Sequence, residues 1–343
     1  MGALDEEETM KQATSNPNPF HVGPEALILN FGGGVDSTAI QVGLVQRFRA
    51  GDLTARPDMI IFADTGSELP ETYDNVERVS TWLELNGFPP VTVISRNNCG
   101  IKTRVTYTTI EGNVLDNETL PGEAFGRGNC SCKWKHEPMD SYLFGGKRPV
   151  RAGWLADNGF AGKPMKLVGY DATEVKSGKR AKNAALTEDS TGRYNFRYPL
   201  VEWDWSREDC KAVIASEGLI VPVKSACFFC PNQSTCELRT MSADNPELFL
   251  RALLIEEVAF HGKHAQKRRD EGLKVQTGLW RRDRKSDGRS GSWVVWAQDE
   301  NLLADAELRA GTTLAELFAA AKPELWASLA PGAFRVREGS LTA

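Results

Sequence analysis

The sequence has little histidine, no long apolar run and no net positive charge, and each absence excludes a class of protein. Four histidines among 343 residues argue against an imidazole-rich metal centre. No apolar run approaches the roughly 20 residues that span a bilayer, so we expect no membrane segment. A formal net charge of −5 argues against a globally basic nucleic-acid-binding protein. A hydrophobic content of 41%, with 25% charged residues, is ordinary for a globular enzyme.

The N-terminal residues also lack the features of a signal peptide. Residues 1–24 are acidic and polar and contain Asn-Pro-Asn-Pro, so we expect a disordered lead-in and a cytoplasmic protein. Seven cysteines are an odd number, and disulfides are rare in the cytoplasm. A disulfide framework is therefore not expected.

Two common phosphate-binding motifs, Gly-Lys-Ser/Thr and Gly-x-Gly-x-x-Gly, are absent, but a different glycine-rich stretch is present. Residues 32–38 read Gly-Gly-Gly-Val-Asp-Ser-Thr, between an apolar run at 26–30 and a segment with helical apolar spacing at 39–48. This pattern predicts a buried strand, a glycine turn and a helix start, where backbone N–H groups favour an anion. The alternative is a glycine-rich turn without a ligand. The residues expected to bind the anion are Gly32, Gly33, Gly34, Asp36, Ser37 and Thr38.

Strands and helices alternate through the first part of the chain. Apolar runs at 58–63, 91–94 and 166–169 predict further buried strands, with a helix from Pro70 to about residue 87. Another helix should begin at Ser206 with a capping box. This alternation predicts an α/β fold with a doubly wound parallel sheet, whose ligand lies at the carboxyl ends of the strands.

Other segments carry weaker signals. Residues 96–128 should form an irregular loop, residues 198–203 a strand or turn, and residues 293–296 a short strand. The chain beyond residue 236 should be mostly helical, and residues 246–258 are its clearest amphipathic stretch. We therefore expect three parts: the lead-in at 1–24, an α/β domain at 25–236 and a helical region at 237–343.

Three motifs together resemble one protein superfamily. The glycine turn resembles the Ser-Gly-Gly-x-Asp-Ser loop of the PP-loop ATP pyrophosphatases, with Gly32 in place of the first serine. Residues 62–66, Phe-Ala-Asp-Thr-Gly, with Pro-Glu-Thr-Tyr at 70–73, resemble the phosphoadenosine-phosphosulfate (PAPS) reductase branch of that superfamily. Residues 169–175, with Lys179 and Arg180, resemble a later segment of the same branch. The resemblance implies the adenine nucleotide alpha-hydrolase-like fold and an adenine nucleotide at the strand ends.

The resemblance also implies roles for individual residues. The glycine turn would take phosphate oxygens, and Asp64, Thr65 and Gly66 would form part of the adenosine pocket. Glu174, Lys179 and Arg180 would lie near phosphates, Mg²⁺ or substrate. The alternative for Glu174 and Arg180 is a surface salt bridge. The alternative for Asp64 is a carboxylate that caps a turn. The catalytic residues would be Asp36, Ser37, Glu174 and Arg180.

The cysteines are unevenly spaced. Cys227, Cys230 and Cys236 form a Cys-x2-Cys-x5-Cys pattern, which can surround one metal centre. The fourth ligand would be Cys132, with Cys130 as its alternative. The pattern resembles the cysteine cluster of DNA phosphorothioation PP-loop ATPases, which implies a [4Fe–4S] cluster; Zn²⁺ is the alternative. A redox dithiol or simple packing would also suit these cysteines.

One segment is strongly basic. Residues 263–289 contain ten Lys or Arg and four Asp or Glu, a local charge of +6 that leaves −11 for the rest of the chain. Such a segment either follows the phosphates of a nucleic acid or is a solvated surface. Three nearby tryptophans could stack on bases, although core packing is favoured: Trp280, Trp293 and Trp296.

Three functions are compatible with these features. The first is a PP-loop enzyme that uses ATP to adenylate a substrate, with sulfur transfer from a donor protein and a nucleic acid as acceptor. The second is a sulfonucleotide reductase acting on PAPS or its 3′-unphosphorylated analogue, but the last cysteine is Cys236 and no adjacent Cys-Cys pair exists. The third is a non-catalytic nucleotide-binding module.

Overall fold

A computed structural model of the protein describes residues 24–99, 108–124, 129–146, 152–188, 190–276 and 278–329. The expected lead-in at 1–24 lies outside these ranges, apart from Pro24. Five parallel strands form one sheet in the order β3-β2-β1-β4-β5. The strands are β1 Leu27–Phe31, β2 Met59–Ala63, β3 Val91–Ile94, β4 Met165–Leu167 and β5 Asn195–Arg197.

Apolar cores cover both faces of the sheet, because successive side chains of a strand point to opposite faces. Leu29 and Phe31 of β1 point into one core, which includes Ile60 and Phe62 of β2. Ile28 points into the other core. The protein is therefore an α/β fold with an all-parallel sheet between two apolar layers.

Short and long helices connect the strands. Residues Leu53–Ala55 form a 3₁₀ helix and Cys132–His136 a π-helical turn. The α-helices up to residue 216 are α1 Val35–Arg49, α2 Pro70–Leu85, α3 Ile110–Asn117, α4 Pro121–Ala124, α5 Asn129–Ser131, α6 Glu137–Phe144, α7 Trp154–Asp157, α8 Ala172–Lys176, α9 Ala181–Ala184, α10 Pro199–Glu202 and α11 Arg207–Ser216. The capping box expected at Ser206 is present at the start of α11.

Helices also make up the chain after residue 234. They are α12 Thr235–Asp244, α13 Pro246–His261, α14 Lys263–Asp270, α15 Trp293–Asp299, α16 Leu302–Ala310, α17 Leu314–Ala321 and α18 Pro323–Ser328. All of them except α14 contribute to a third core, which also includes α3 and Trp134, so that core takes residues from both sides of position 236. The domain boundary at that position stays a prediction.

Three predicted elements differ in the structure. The strand predicted at 293–296 is wrong, because Ser292 caps a helix there by accepting a hydrogen bond from the N–H of Val295 (3.2 Å). Residues 198–203 contain α10, which Pro199 begins. The irregular loop expected at 96–128 contains α3 and α4, and its residues 100–107 and 125–128 lie outside the described ranges.

No helix in the ranges given above is both long and apolar enough to cross a bilayer.

Candidate functional site

A cavity of about 650 Å³ lies at the carboxyl ends of the central strands. The order of the strands reverses between β1 and β4, and ligands of open α/β sheets bind in the crevice at such a switch point. The cavity has the size of a small-molecule site. Its described lining includes residues from the glycine turn, from the end of β4 and from the segment after α11: Gly32, Gly34, Asp36, Ser37, Gly169, Lys224 and Ser225.

The glycine turn has a conformation that depends on its lack of side chains. Gly33 has φ +75°, and a Cβ there would lie 2.7 Å from Thr72 Cγ2. Gly34 precedes α1 without a side-chain cap, so the first N–H groups of this helix have no capping partner. Because Gly34 has no side chain, the chain can pass close to Ser225, whose Oγ would be 3.1 Å from an added Cβ. The turn therefore presents bare backbone to the cavity.

The hydroxyls of Ser37 and Thr38 shape this turn. Ser37 Oγ accepts from the N–H of Gly32 (3.1 Å) and donates to the carbonyl of Gly34 (3.2 Å). Thr38 is fully buried, and its hydroxyl also donates to Gly34 (2.9 Å). Asn75 Nδ2 donates to the carbonyl of Gly33 (3.1 Å) from α2. An anion at this turn would thus be held by main-chain N–H groups more than by these two hydroxyls.

Asp36 is the only carboxylate among the described residues that line the cavity. Burial raises the pKa of Asp36 to about 6, although the Arg207 guanidinium acts in the opposite direction. Arg207 Nη1 lies 2.8 Å from Asp36 Oδ1, and its Nε lies 3.5 Å from Asp171 Oδ2. Asp171 also caps α8 by accepting from the N–H of Glu174 (2.8 Å). Arg207 therefore connects the glycine turn to the loop after β4.

The raised pKa of Asp36 predicts a pH dependence of stability. The folded protein retains a proton on Asp36 that the unfolded chain, with its pKa of 3.8, has already lost. Between about pH 4 and about pH 7 the free energy of unfolding should therefore fall as pH rises, by up to about 3 kcal/mol from this group. We expect the isosteric Asp36→Asn variant to lack this component in urea unfolding measured across that range. Identical pH profiles for the two proteins would contradict the burial of an ionisable Asp36.

Four cationic side chains line the same cavity, and the sequence analysis missed them: Lys135, Arg207, Lys211 and Lys224. Lys135 Nζ lies 2.7 Å from Oε1 of Glu68, whose side chain is fully buried. Burial acts to lower the pKa of Lys135, but the Glu68 carboxylate outweighs it and holds that pKa above its usual value. These cations come from three separate segments of the chain, so no local sequence motif predicts that they meet.

Glu174, Lys179 and Arg180 form an ion-paired group beside the cavity. Glu174 pairs with Lys179, and Arg180 Nε lies 3.6 Å from Glu174 Oε2. Burial acts to raise the pKa of Glu174, but the Lys179 hydrogen bond and the two cations lower it below its usual range. None of the three lines the cavity as described, although Glu174 and Lys179 are near enough to affect the pKa of Asp36.

Asp64, Thr65 and Gly66 form a tight turn after β2. Asp64 Oδ1 accepts from the N–H of Gly66 (2.7 Å) and from the hydroxyl of Tyr73 (2.8 Å). Thr65 is buried, and its hydroxyl lies 3.3 Å from the sulfur of Cys227. None of the three lines the cavity as described. Their expected adenosine contact stays a prediction, and the structure shows the turn-capping role for Asp64.

The predicted metal ligands are only partly brought together: Cys130 lies near enough to Cys230 to affect its pKa, and Cys230 lies near enough to Cys227 to do the same. Cys132 and Cys236 are exposed, whereas Cys130, Cys227 and Cys230 are half-buried. Across the described ranges, no group of three or more His, Cys, Asp or Glu side chains could hold a metal ion. As arranged, the described cysteines do not form the four-thiolate site that an iron–sulfur cluster or structural zinc requires, and the metal centre stays a prediction. Cys99 and Cys210 are buried, as expected of packing residues.

No family model matches the chain, and no curated protein is significantly similar to it. Support for a function therefore comes from the geometry of the site.

Proposed function

We propose that the protein binds ATP in the cavity over the glycine turn and transfers its adenylyl group to a substrate oxygen, releasing pyrophosphate. The observation that carries the proposal is the charge of this cavity. Among its described lining residues, four Lys or Arg side chains and a single carboxylate surround a helix N-terminus without a side-chain cap, at the switch point of the sheet. A triphosphate fits that distribution of charge.

The reaction needs charge stabilisation more than covalent chemistry. The substrate oxygen forms a bond to the α-phosphorus as the bond to the β-phosphate breaks, and negative charge moves onto the departing pyrophosphate. Preorganised N–H groups and cations stabilise such charge. Lys135 and Arg207 are held in place by Glu68 and Asp36, so they need little reorganisation. Mg²⁺ would enter with the nucleotide phosphates, as it does in many phosphoryl-transfer sites.

The later step in the proposal is sulfur transfer onto a nucleic-acid acceptor. A sulfur nucleophile from a donor protein would attack the substrate atom that bears the adenylated oxygen, and AMP would leave with that oxygen. This part is supported by the family resemblance and by two features of the chain: the thiol of Cys227 behind the cavity and the basic segment at 263–289. Because the cysteines do not form a cluster site as arranged, no step is assigned to iron–sulfur chemistry.

The proposal is tested with the purified protein by product analysis. We expect pyrophosphate release from ATP and Mg²⁺ in the presence of an acceptor. Release of sulfite from PAPS would instead identify a sulfonucleotide reductase. ATP binding without turnover, under every acceptor condition, would identify a non-catalytic module.

Lys211→Gln should weaken the interaction with ATP. Lys211 lines the cavity. Loss of its charge-assisted contact with a phosphate should cost about 1.4 kcal/mol of binding free energy, which raises the KM for ATP about tenfold. Lys176→Gln is the matched control, because Lys176 is exposed and pairs with Asp204 outside the cavity. Equal KM values for Lys211→Gln and Lys176→Gln would argue against a triphosphate in this cavity.

A further inference from the structure

A second cavity, the basic groove, lies among the C-terminal helices and has a volume of about 810 Å³. One carboxylate, Glu123, is found among the described residues that line it. Its basic side chains come from α14 and from the segment that follows: His264, Arg268, Lys274, Arg281 and Arg282. The groove thus gathers four of the 41 Lys and Arg residues beside a single described carboxylate, in a protein whose net charge is −5.

The described cations of the groove have no acidic partners. Several exposed arginines elsewhere are paired, as Arg49 is with Glu217 and Arg239 with Glu300. Within the part of the chain that the structure describes, no carboxylate forms an ion pair with the groove's four Lys and Arg side chains. Their mutual repulsion is relieved when a polyanion binds.

One of these arginines is fixed by hydrogen bonds, and a second packs against the opposite wall of the groove. The Arg268 guanidinium donates two hydrogen bonds to the carbonyl of Lys274 (2.9 and 2.6 Å). Arg281 has φ +71°, and its Nε would lie 3.3 Å from a Cβ added at Gly122 on the opposite wall. A preorganised guanidinium loses less conformational entropy when it binds a phosphate.

The groove offers no aromatic surface for stacking on bases. Trp280 is the only Trp, Tyr or Phe among its described lining residues, and it is 8% exposed. Its indole N–H donates to the carbonyl of Gln233 (2.8 Å), and the Arg289 guanidinium lies over its ring, 3.8 Å from the centroid. Single-strand-binding proteins rely on exposed aromatic rings. The groove is therefore suited to phosphates and not to bases.

One short segment separates the basic groove from the nucleotide cavity. Lys224 and Ser225 line the nucleotide cavity, whereas Pro231 and Asn232 line the groove. Lys224 Nζ donates to the carbonyl of Asn232 (2.9 Å) and closes this segment into a compact loop. This loop therefore carries lining residues of both cavities.

We propose that the basic groove binds the phosphodiester backbone of a nucleic-acid duplex without reading its sequence. The contacts on offer are cations, one of them a fixed guanidinium group, so affinity comes from phosphate neutralisation and is strongly reduced by salt. Its role as the docking site of the acceptor rests on the proposed adenylyl transfer, whereas duplex binding itself does not require turnover.

The test is fluorescence anisotropy of the full chain with labelled duplexes of about 20 base pairs at several salt concentrations. Four phosphate contacts give a slope of log affinity against log salt of about −3.6. Two DNA duplexes of different sequence should bind equally, and an RNA duplex tests whether the A-form backbone is preferred. Oligo(dT) of the same length should bind no more tightly than the DNA duplex.

The variants remove two cations at a time. Lys274→Gln with Arg282→Gln should bring the slope to about −1.8 and weaken binding at least tenfold at low salt. Lys263→Gln with Lys285→Gln removes the same charge from the same basic segment outside the described lining, and should leave the slope near the wild-type value. Circular dichroism of each variant checks that it is folded.

Three results would contradict duplex binding by the basic groove: no salt-dependent binding, equal losses of affinity in both double variants, or oligo(dT) bound tenfold more tightly than duplex. Pyrophosphate release is measured separately on the wild-type protein. Turnover without duplex binding would contradict the proposed role of the groove and support the proposed activity. Duplex binding without nucleotide turnover would contradict the proposed activity and support the role of the groove.

Discussion

Replacement of Glu256 by alanine is expected to lower the free energy of unfolding by about 3–5 kcal/mol. Glu256 is fully buried in α13, and its carboxylate accepts from the N–H groups of Leu279 (2.8 Å), Trp293 (2.8 Å) and Val294 (3.2 Å). It also accepts from the hydroxyl of Ser292. Alanine would leave these donors buried without an acceptor, both at the start of α15 and at Leu279 within the basic segment.

Urea unfolding of the two proteins measures this loss. Glu300→Ala is the control, because Glu300 forms an exposed ion pair with Arg239 that should contribute no more than about 1 kcal/mol. Glu256→Gln keeps the volume but turns an amide NH₂ toward one pair of donors, so it should also destabilise the protein, by less than alanine does. Equal stability of the Glu256→Ala and Glu300→Ala variants would mean that water can replace the carboxylate.

Replacement of Gly33 by alanine should impair both folding and nucleotide binding. The left-handed backbone costs a non-glycine residue about 1–2 kcal/mol, and the contact with Thr72 Cγ2 adds an overpacking cost of about 1–3 kcal/mol. Because Gly33 sets the direction of the N–H groups in the turn, we expect the apparent affinity for ATP to fall at least tenfold.

Two further variants separate these causes. Gly87 has the same φ of +75°, and a Cβ there would meet nothing within 4 Å, so Gly87→Ala measures backbone strain alone. Thr72→Ser removes the clashing methyl group, and the Gly33→Ala/Thr72→Ser double variant should recover the steric part. If Gly33→Ala is no worse than Gly87→Ala in stability and binds ATP normally, the close approach at the turn has no role.

The sequence was sufficient for the parts of the fold that depend on local pattern. Apolar runs predicted β1, β2 and β3 closely, and the proline at position 70 predicted the start of α2. It was insufficient where distant contacts decide the structure. Residues 293–296 are apolar enough to suggest a strand, yet Ser292 and the buried Glu256 carboxylate satisfy the first N–H groups of a helix there.

The candidate site, too, could be predicted from the sequence only in part. The glycine turn could be predicted because its conformation is encoded in consecutive residues. Lys135 and Arg207 could not, since they reach the cavity from a π-helical turn and from the start of α11. Glu174 and Arg180 were predicted from the resemblance, and the structure shows them paired with each other, as surface salt bridges are.

The apolar core beneath the C-terminal helices has a consequence for how this protein can change over evolutionary time. Ile110, Val114 and Trp134 pack into the same core as Leu253 and Phe318, which lie far along the chain. Neither segment covers its own apolar surface. The insertion between β3 and β4 and the C-terminal helices would therefore have to be acquired, exchanged or lost together, even though β4 and β5 lie between them in the sequence.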